Sequence, residues 1–306
     1  MPVTALSVFH PTTPHLLAAR DRMLQGALRD GPLPFAIAAE YPLVLAPEAA
    51  ALSYCLGDET TGEVAAHANL WPRSLAGTRI GLVGNVATDE RWRGQGLMRT
   101  LLTELRREAE RTELEALVLW SDLLEFYQKQ GFESFGRELR FQFAHDVQGE
   151  PTGTAYVPLP DDTAEQVAAE LLALRQPVGR TLERSVEEFA KLLTIPAMTV
   201  LGAVGDRGKL EGYALLGKGA DMVGVIHEWG APTPDHLVSA VKAAAELAGY
   251  ADILVLAPGD LPRDWQEALE AKAQKTTQHP VGLAWARTPE ARAALEEAFI
   301  WGLDSI

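Results

Sequence analysis

The segment from Ile80 to Arg111 constrains the fold more tightly than any other. A strand-forming run, Ile80–Thr88, passes through a short loop holding Gly94 and Gly96 into an amphipathic stretch, Gly96–Arg111. Within that stretch Leu97, Met98, Leu101, Leu102, Leu105 and Ala109 recur at helical spacing, while Arg99, Arg106, Glu108 and Glu110 fall on the other face. A buried-type run, Ala116–Trp120, follows. A strand, a one-sided helix and a second apolar strand form a crossover unit, whose helix packs back onto a sheet. The fold class is α/β, with a mixed sheet flanked by helices.

Other segments fit the same plan. A helix is predicted over Pro14–Leu28 and a shorter one over about Pro34–Glu40. Strands are predicted at Ala51–Gly57 and Glu63–Trp71, joined by the turn Asp58–Gly62, and a helix at Leu123–Gln130 stops at Gly131. Strand runs at Thr199–Val204, Gly212–Leu216 and Val223–Trp229 precede Thr233-Pro234, an N-cap followed by proline at the first helical position. That helix runs to about Ala248 and ends at Gly249. Asp252–Leu256, a helix at about Asp264–Ala273 and Gly282–Ala286 complete the series. The same order in both halves predicts an internal repeat, and the stretch Val147–Thr154, with two glycines and a proline, reads as a linker. The predicted domains are 1–148 and 149–306.

Composition narrows the function. The 306 residues carry 27 Lys+Arg against 42 Asp+Glu, a formal net charge of −15, and both halves are acidic. A general nucleic-acid binder needs a basic surface, and so does a protein held on anionic lipid. One cysteine, Cys55, excludes an internal disulfide and a multi-cysteine zinc site, and reads as a small buried hydrophobe. The seven histidines show no metal-ligand spacing, so no metal is expected. No run is long and apolar enough for a membrane helix, and no export segment is evident, so a cytoplasmic location is expected.

The loop between strand and helix is the chemical signal. Gly94 and Gly96 permit close backbone approach, the first amides of the helix point outward, and the helix dipole favours an anion there. Arg91 and Arg93 add positive charge, making a phosphate cradle in an acidic protein. It is not a dinucleotide fingerprint, since Arg99 stands where the third glycine is needed, nor a P-loop, since no Gly-Lys-Ser/Thr occurs. No Gly-x-Ser-x-Gly elbow is present either.

Arg91-Trp92-Arg93-Gly94-Gln95-Gly96, after a strand, resembles the Arg/Gln-x-x-Gly-x-Gly/Ala signature of the GNAT superfamily of acetyl-CoA-dependent N-acetyltransferases. Downstream, Tyr127-Gln128-Lys129-Gln130-Gly131-Phe132 is similar to that family's Tyr-x-Lys-x-Gly-Phe segment. The resemblance covers roughly Leu43–Phe143, with a weaker echo in the second half. It implies an acyltransferase that takes acetyl-CoA as co-substrate, with two GNAT-like domains. Val86, Ala87 and Thr88 would pair with the pantetheine arm, and the backbone from Arg91 through Trp92, Arg93, Gly94, Gln95 and Gly96 to Leu97 and Met98 would hold the pyrophosphate. Leu123 and Phe126 would flank the arm, and Tyr127 would donate a proton to the leaving thiolate.

The acceptor side is less determined. Glu63 and His67 are candidates for the base, directly or through water, or for a solvated carboxylate and an ordinary strand histidine. Asn85 could only orient an acceptor. In the second half Glu228, between His227 and Trp229, is a candidate acceptor contact. The counterpart of the phosphate loop there, Gly230–Asp235, lacks paired glycines and arginine and carries two prolines, so this half reads as a degenerate copy that shapes the acceptor site. The acceptor is expected to be an amine on a small molecule or peptide, with nucleic acid and membrane excluded as partners. A catalytically silent CoA-binding regulatory module and a transferase of longer acyl chains remain alternatives.

Overall fold

A computed structural model of the chain describes residues 6–29, 31–150, 152–160, 164–175, 180–205 and 208–306. The chain begins with β1 (Ser7–Phe9), α1 (Pro14–Leu28) and the short α2 (Ile37–Glu40). Thr13 caps α1, its hydroxyl accepting from the Leu16 amide at 3.3 Å. β2 (Ser53–Asp58), β3 (Glu63–Leu75) and β4 (Thr78–Thr88) form an antiparallel meander. β3 and β4 are longer than expected, while Ala51 and Leu52 belong to a 3₁₀ turn, Pro47–Leu52. Then come α3 (Leu97–Arg111), β5 (Ala116–Leu119), α4 (Leu124–Gln128) and β6 (Glu133–Phe135).

The second series runs β7 (Glu138–Ala144), β8 (Ala155–Pro158), α5 (Ala164–Leu174), α6 (Val186–Leu192), β9 (Thr199–Val204), β10 (Leu210–Leu216) and β11 (Val225–Gly230). It continues with α7 (Pro234–Ala248), β12 (Asp252–Pro258), α8 (Arg263–Glu270), β13 (Lys275–His279), β14 (Gly282–Ala286) and α9 (Pro289–Glu296). Thr233 caps α7 through the His236 amide, and Gly249 closes it at φ 65°.

These elements make two seven-stranded mixed sheets, in the orders β1-β2-β3-β4-β5-β14-β6 and β8-β9-β10-β11-β12-β7-β13. The two orders correspond place by place: β4 pairs β5 in parallel as β11 pairs β12, and the preceding meanders are antiparallel. One place is filled out of turn in each sheet. β7, which follows β6 in sequence, lies between β12 and β13, whereas β14 occupies the seat beside β5. The compact units are accordingly interleaved in sequence: residues 1–134, 282–295 and 305–306 form one, and 135–281 and 296–304 the other.

In the first unit, Leu101, Leu102, Leu105 and Ala109 of α3 pack on Ala66, Ala68 and Leu70 of β3, Val83 of β4 and Leu117 and Leu119 of β5. Alternation along β3 turns His67 and Asn69 to the opposite face, with α1 packed against β3 and β4. In the second unit, α7 buries Leu237, Val238, Val241 and Ala245, while Trp229 stacks on Trp265 at 5.5 Å and meets Trp301 edge-on at 5.7 Å.

Candidate active site

β4 runs into the loop at Thr88. A 3₁₀ turn, Glu90–Trp92, is capped by the Asp89 carboxylate accepting from the Arg91 amide at 3.0 Å. Gly94 and Gly96 then take φ 77° and 78°. A Cβ at either would meet open space, so backbone conformation rather than crowding within the protein calls for glycine. Gly96 is the N-cap of α3, with no side-chain cap and no acidic residue in the first turn. The first-turn amides, which a helix cannot satisfy internally, remain available to an anion. They border a cleft of about 470 Å³ lined by Thr88, Trp92, Arg93, Gly94, Gln95, Gly96, Leu97, Met98, Arg99 and Phe126.

The charges are distributed differently from the reading of the motif. Arg91 is held by Asp89, with Nε–Oδ1 3.0 Å, and by Glu63, with Nη1–Oε1 3.6 Å, and it does not line the cleft. The Arg91 guanidinium in turn holds the Asp89 carboxyl below the usual range. Arg93 does line the cleft, its Nε donating to the Thr88 carbonyl at 3.3 Å. So does Arg99, which the motif does not contain; its signal in the sequence is its place in the first turn, three residues beyond Gly96.

β4 and β5 pair only from Ile80↔Ala116 to Leu82↔Val118. Beyond Leu82 the β5-facing edge of β4 has no strand partner among the described residues, although the backbone of Ile306 lies against Gly84. β4 also carries an extra residue relative to β3: His67 faces Ala87 and Asn69 faces Gly84. The bulge contains Asn85 in the left-handed region, φ 46°, followed by the half-buried Val86, the buried Ala87 and the half-buried Thr88.

Tyr127 sits on α4, its ring edge-on to Phe126 at 5.0 Å and Phe132 at 5.7 Å. The ring belongs to the α3 core, while the hydroxyl makes no hydrogen bond among the described residues. Burial raises its pKa to about 12, so it is a neutral O–H donor at physiological pH. Leu123 and Leu124, just before it, are 66% and 48% exposed, a large apolar exposure at the edge of α4.

The acceptor-side candidates separate. Glu63 is half-buried and faces Arg91. His67 is fully buried, with Nδ1 2.8 Å from the Asn85 carbonyl oxygen, and burial pushes its pKa down to about 3. A base that weak leaves an alkylammonium protonated at neutral pH. The Asn85 amide group is buried and donates to Asn69 Oδ1 at 3.1 Å. Glu228 has a fully buried side chain, bidentate with Arg184 at 2.9 Å and accepting from the Tyr213 hydroxyl at 3.0 Å. Arg184 also pairs with the buried Asp304 at 2.7 Å, so Glu228 is committed to a structural ion cluster of the second unit. Cys55 is fully buried. Among the described residues no group of three or more His, Cys, Asp or Glu is arranged to hold a metal, and no helix is long and apolar enough to cross a membrane.

Residues 23–132 match the acetyltransferase (GNAT) family. No curated protein matches the sequence. Among solved structures, the chain is similar to a GCN5-related N-acetyltransferase from Kribbella flavida, with 15% identity and TM-score 0.61 over 95% of this chain and 74% of that one. It is similar to another from Anabaena variabilis, with 14% identity and TM-score 0.62 over 91% and 72%. It is also similar to the N-myristoyltransferase of Saccharomyces cerevisiae with bound myristoyl-CoA, with 10% identity and TM-score 0.55 over 98% and 90%. At such identities the likeness is one of fold.

Proposed function

We propose that this chain, whose residues 23–132 match the acetyltransferase (GNAT) family, transfers an acetyl group from acetyl-CoA to a primary amine. The observation that carries the reading is the cleft at the uncapped start of α3, where left-handed Gly94 and Gly96, free first-turn amides and two arginines converge. That donor set fits a pyrophosphate, which needs amide donors and a guanidinium and no metal. The β5-facing edge of β4 from Val86 to Thr88, which pairs with no strand among the described residues, fits an amide-bearing arm added as a further strand.

Acetyl-CoA supplies the activated carbonyl when bound. The protein's part is to hold, orient and move one proton. The amides from Gly94 to Met98 with Arg93 and Arg99 would hold the phosphates, and Phe126, on the cleft wall, would flank the arm with Leu123. The Tyr127 hydroxyl would give its proton to the departing sulfur as the new C–N bond forms and the C–S bond breaks. Neither Glu63, paired with Arg91, nor His67, buried and neutral, is placed as a strong base. The acceptor would therefore react as the free amine, with positioning supplying much of the rate.

The test is a screen of amines with purified protein and a thiol-release readout, run beside thermal shifts with acetyl-CoA and longer acyl-CoAs. Stabilisation by acetyl-CoA with thiol release on adding an amine is the expected result. Stabilisation only by longer acyl-CoAs would change the donor, binding without release for any amine would indicate a silent binding module, and no stabilisation by any CoA ester would overturn the reading.

A further inference from the structure

We propose that Arg20 and Asn69 are positioning residues of the transfer reaction: Asn69, bonded directly to Asn85 and held in turn by Arg20 through Ser53, keeps Asn85 in the left-handed kink that sets the course of β4 into the cleft. The inference rests on the acyltransferase reading above and concerns residues outside the cofactor motif.

A non-glycine residue at φ 46° is held there against its own preference, even when it is an asparagine. Asn85 is held at two points. Its carbonyl oxygen accepts from His67 Nδ1 at 2.8 Å, and its Nδ2 donates to Asn69 Oδ1 at 3.1 Å. Asn69 can turn only one way, because its Nδ2 faces three acceptors: the Val44 carbonyl at 3.2 Å, the Leu52 carbonyl at 3.1 Å and Ser53 Oγ at 3.2 Å. Ser53 Oγ also accepts from Arg20 Nη1 at 3.1 Å. Arg20 is 1% exposed, anchored by the Leu45 carbonyl and by Asp21 at 2.8 Å.

A fully buried guanidinium is a costly way to fill a core, since well-packed apolar residues commonly match or exceed the stability of a buried ion pair. A polar chain fixes orientation in a way that apolar packing does not. The arrangement is also not satisfied for its own sake: Asn85 Oδ1 and His67 Nε2 stay buried without partners. The counterpart strand of the other unit gives the contrast. β11 also gains a residue, with Leu215 facing Glu228 and Leu216 facing Ile226, yet none of its residues is left-handed, and no glycine pair follows it. The held kink thus occurs in the strand that leads to the cleft, three residues before Thr88 on its wall.

The experiment compares the full chain with Asn69→Ala, with Ser53→Ala and with the double variant Asn69→Ala/Asn85→Gly. It reads kcat and KM for acetyl-CoA, together with amide hydrogen exchange at residues 84–88 without ligand. Asn69→Ala should lower kcat about tenfold or more with the acetyl-CoA KM within about threefold, because small misplacement at a reacting centre is costly. It should also speed exchange at 84–88. The double variant should recover most of kcat, since glycine takes a positive φ without being held. Ser53→Ala, which removes one oxygen, should show the same pattern at smaller size and stands in if Asn69→Ala fails to fold. An unchanged kcat in a folded variant, or a loss that glycine at 85 does not rescue, overturns the proposal. If the wild-type protein turns over no amine, the acyltransferase reading fails separately. The exchange data then still decide: faster exchange confined to 84–88 supports the clamp, and unchanged exchange overturns it.

Discussion

Arg91 spends its guanidinium on Asp89 and Glu63, whereas Arg93 and Arg99 border the cleft. Charge reversal at either cleft arginine, Arg93→Glu or Arg99→Glu, should weaken CoA binding about tenfold or more, the scale of a charge-assisted hydrogen bond lost. Arg91→Ala should change it less than about threefold, as an exposed pair contributes little. Titration calorimetry on the three variants tests the ranking, and a larger effect at Arg91 would contradict it. The motif's spacing could not reveal this difference, because Glu63 reaches Arg91 only across the β3–β4 pairing. Tyr127→Phe keeps the ring contacts with Phe126 and Phe132 and removes the hydroxyl. It should leave CoA affinity unchanged and lower turnover by about a hundredfold, the lower range for a lost proton donor. Because the hydroxyl's pKa lies near 12, the kcat profile of the wild-type protein should show no tyrosine limb below pH 10.

Elements with capping chemistry at their ends were readable from the sequence. α1 and α7 begin and end where their threonine N-caps, prolines and, for α7, Gly249 place them, and β14 matches Gly282–Ala286. α6 carries an equally good sign in the capping box of Ser185 and Glu188. The bulge in β4 had no sign at all: Asn85 reads as one more residue of an apolar run, and its kink comes from Asn69 and Arg20, distant in sequence. At the start of α3 the requirement is conformational, which makes Gly96→Ala informative. The methyl group has room, so the variant should lose about 1 kcal/mol through backbone strain alone, seen as a several-fold weaker CoA affinity. An unchanged affinity would mean that the loop does not need the left-handed turn to bind.

For the whole molecule, burial of histidine sets an acid limit. His67 in one unit and His227 in the other are pushed by burial to about 3, against about 6.5 when unfolded. Both are neutral when folded, so unfolding takes up protons between these values. Their penalty is absent above pH 6.5 and grows as pH falls towards 3. Thermal midpoints should decline below pH 6.5, and His67→Gln should reduce the proton uptake on unfolding at pH 5 by about one. The repeat was legible as an order of strands and helices, while the exchange of β7 and β14 was not. β14 is a short apolar run and β7 alternates polar with apolar residues, and neither pattern says which β5-like edge the strand will join. Arg106 helps seat β14, its guanidinium 5.5 Å from the Phe132 ring and 5.2 Å from that of Trp285.

The position of β14 also imposes an order on biosynthesis. Every residue proposed to hold CoA has left the ribosome long before the strand that covers the outer edge of β5 is made. Until then Ala116–Leu119 presents an open, wholly apolar edge, the kind that pairs with other chains. A nascent chain stopped after Val281 should therefore aggregate or bind no CoA despite an intact cradle, which pull-down of arrested chains on CoA resin can show. Completing the first sheet with a strand made so long after β5 ties cofactor capture to synthesis of the chain beyond Val281.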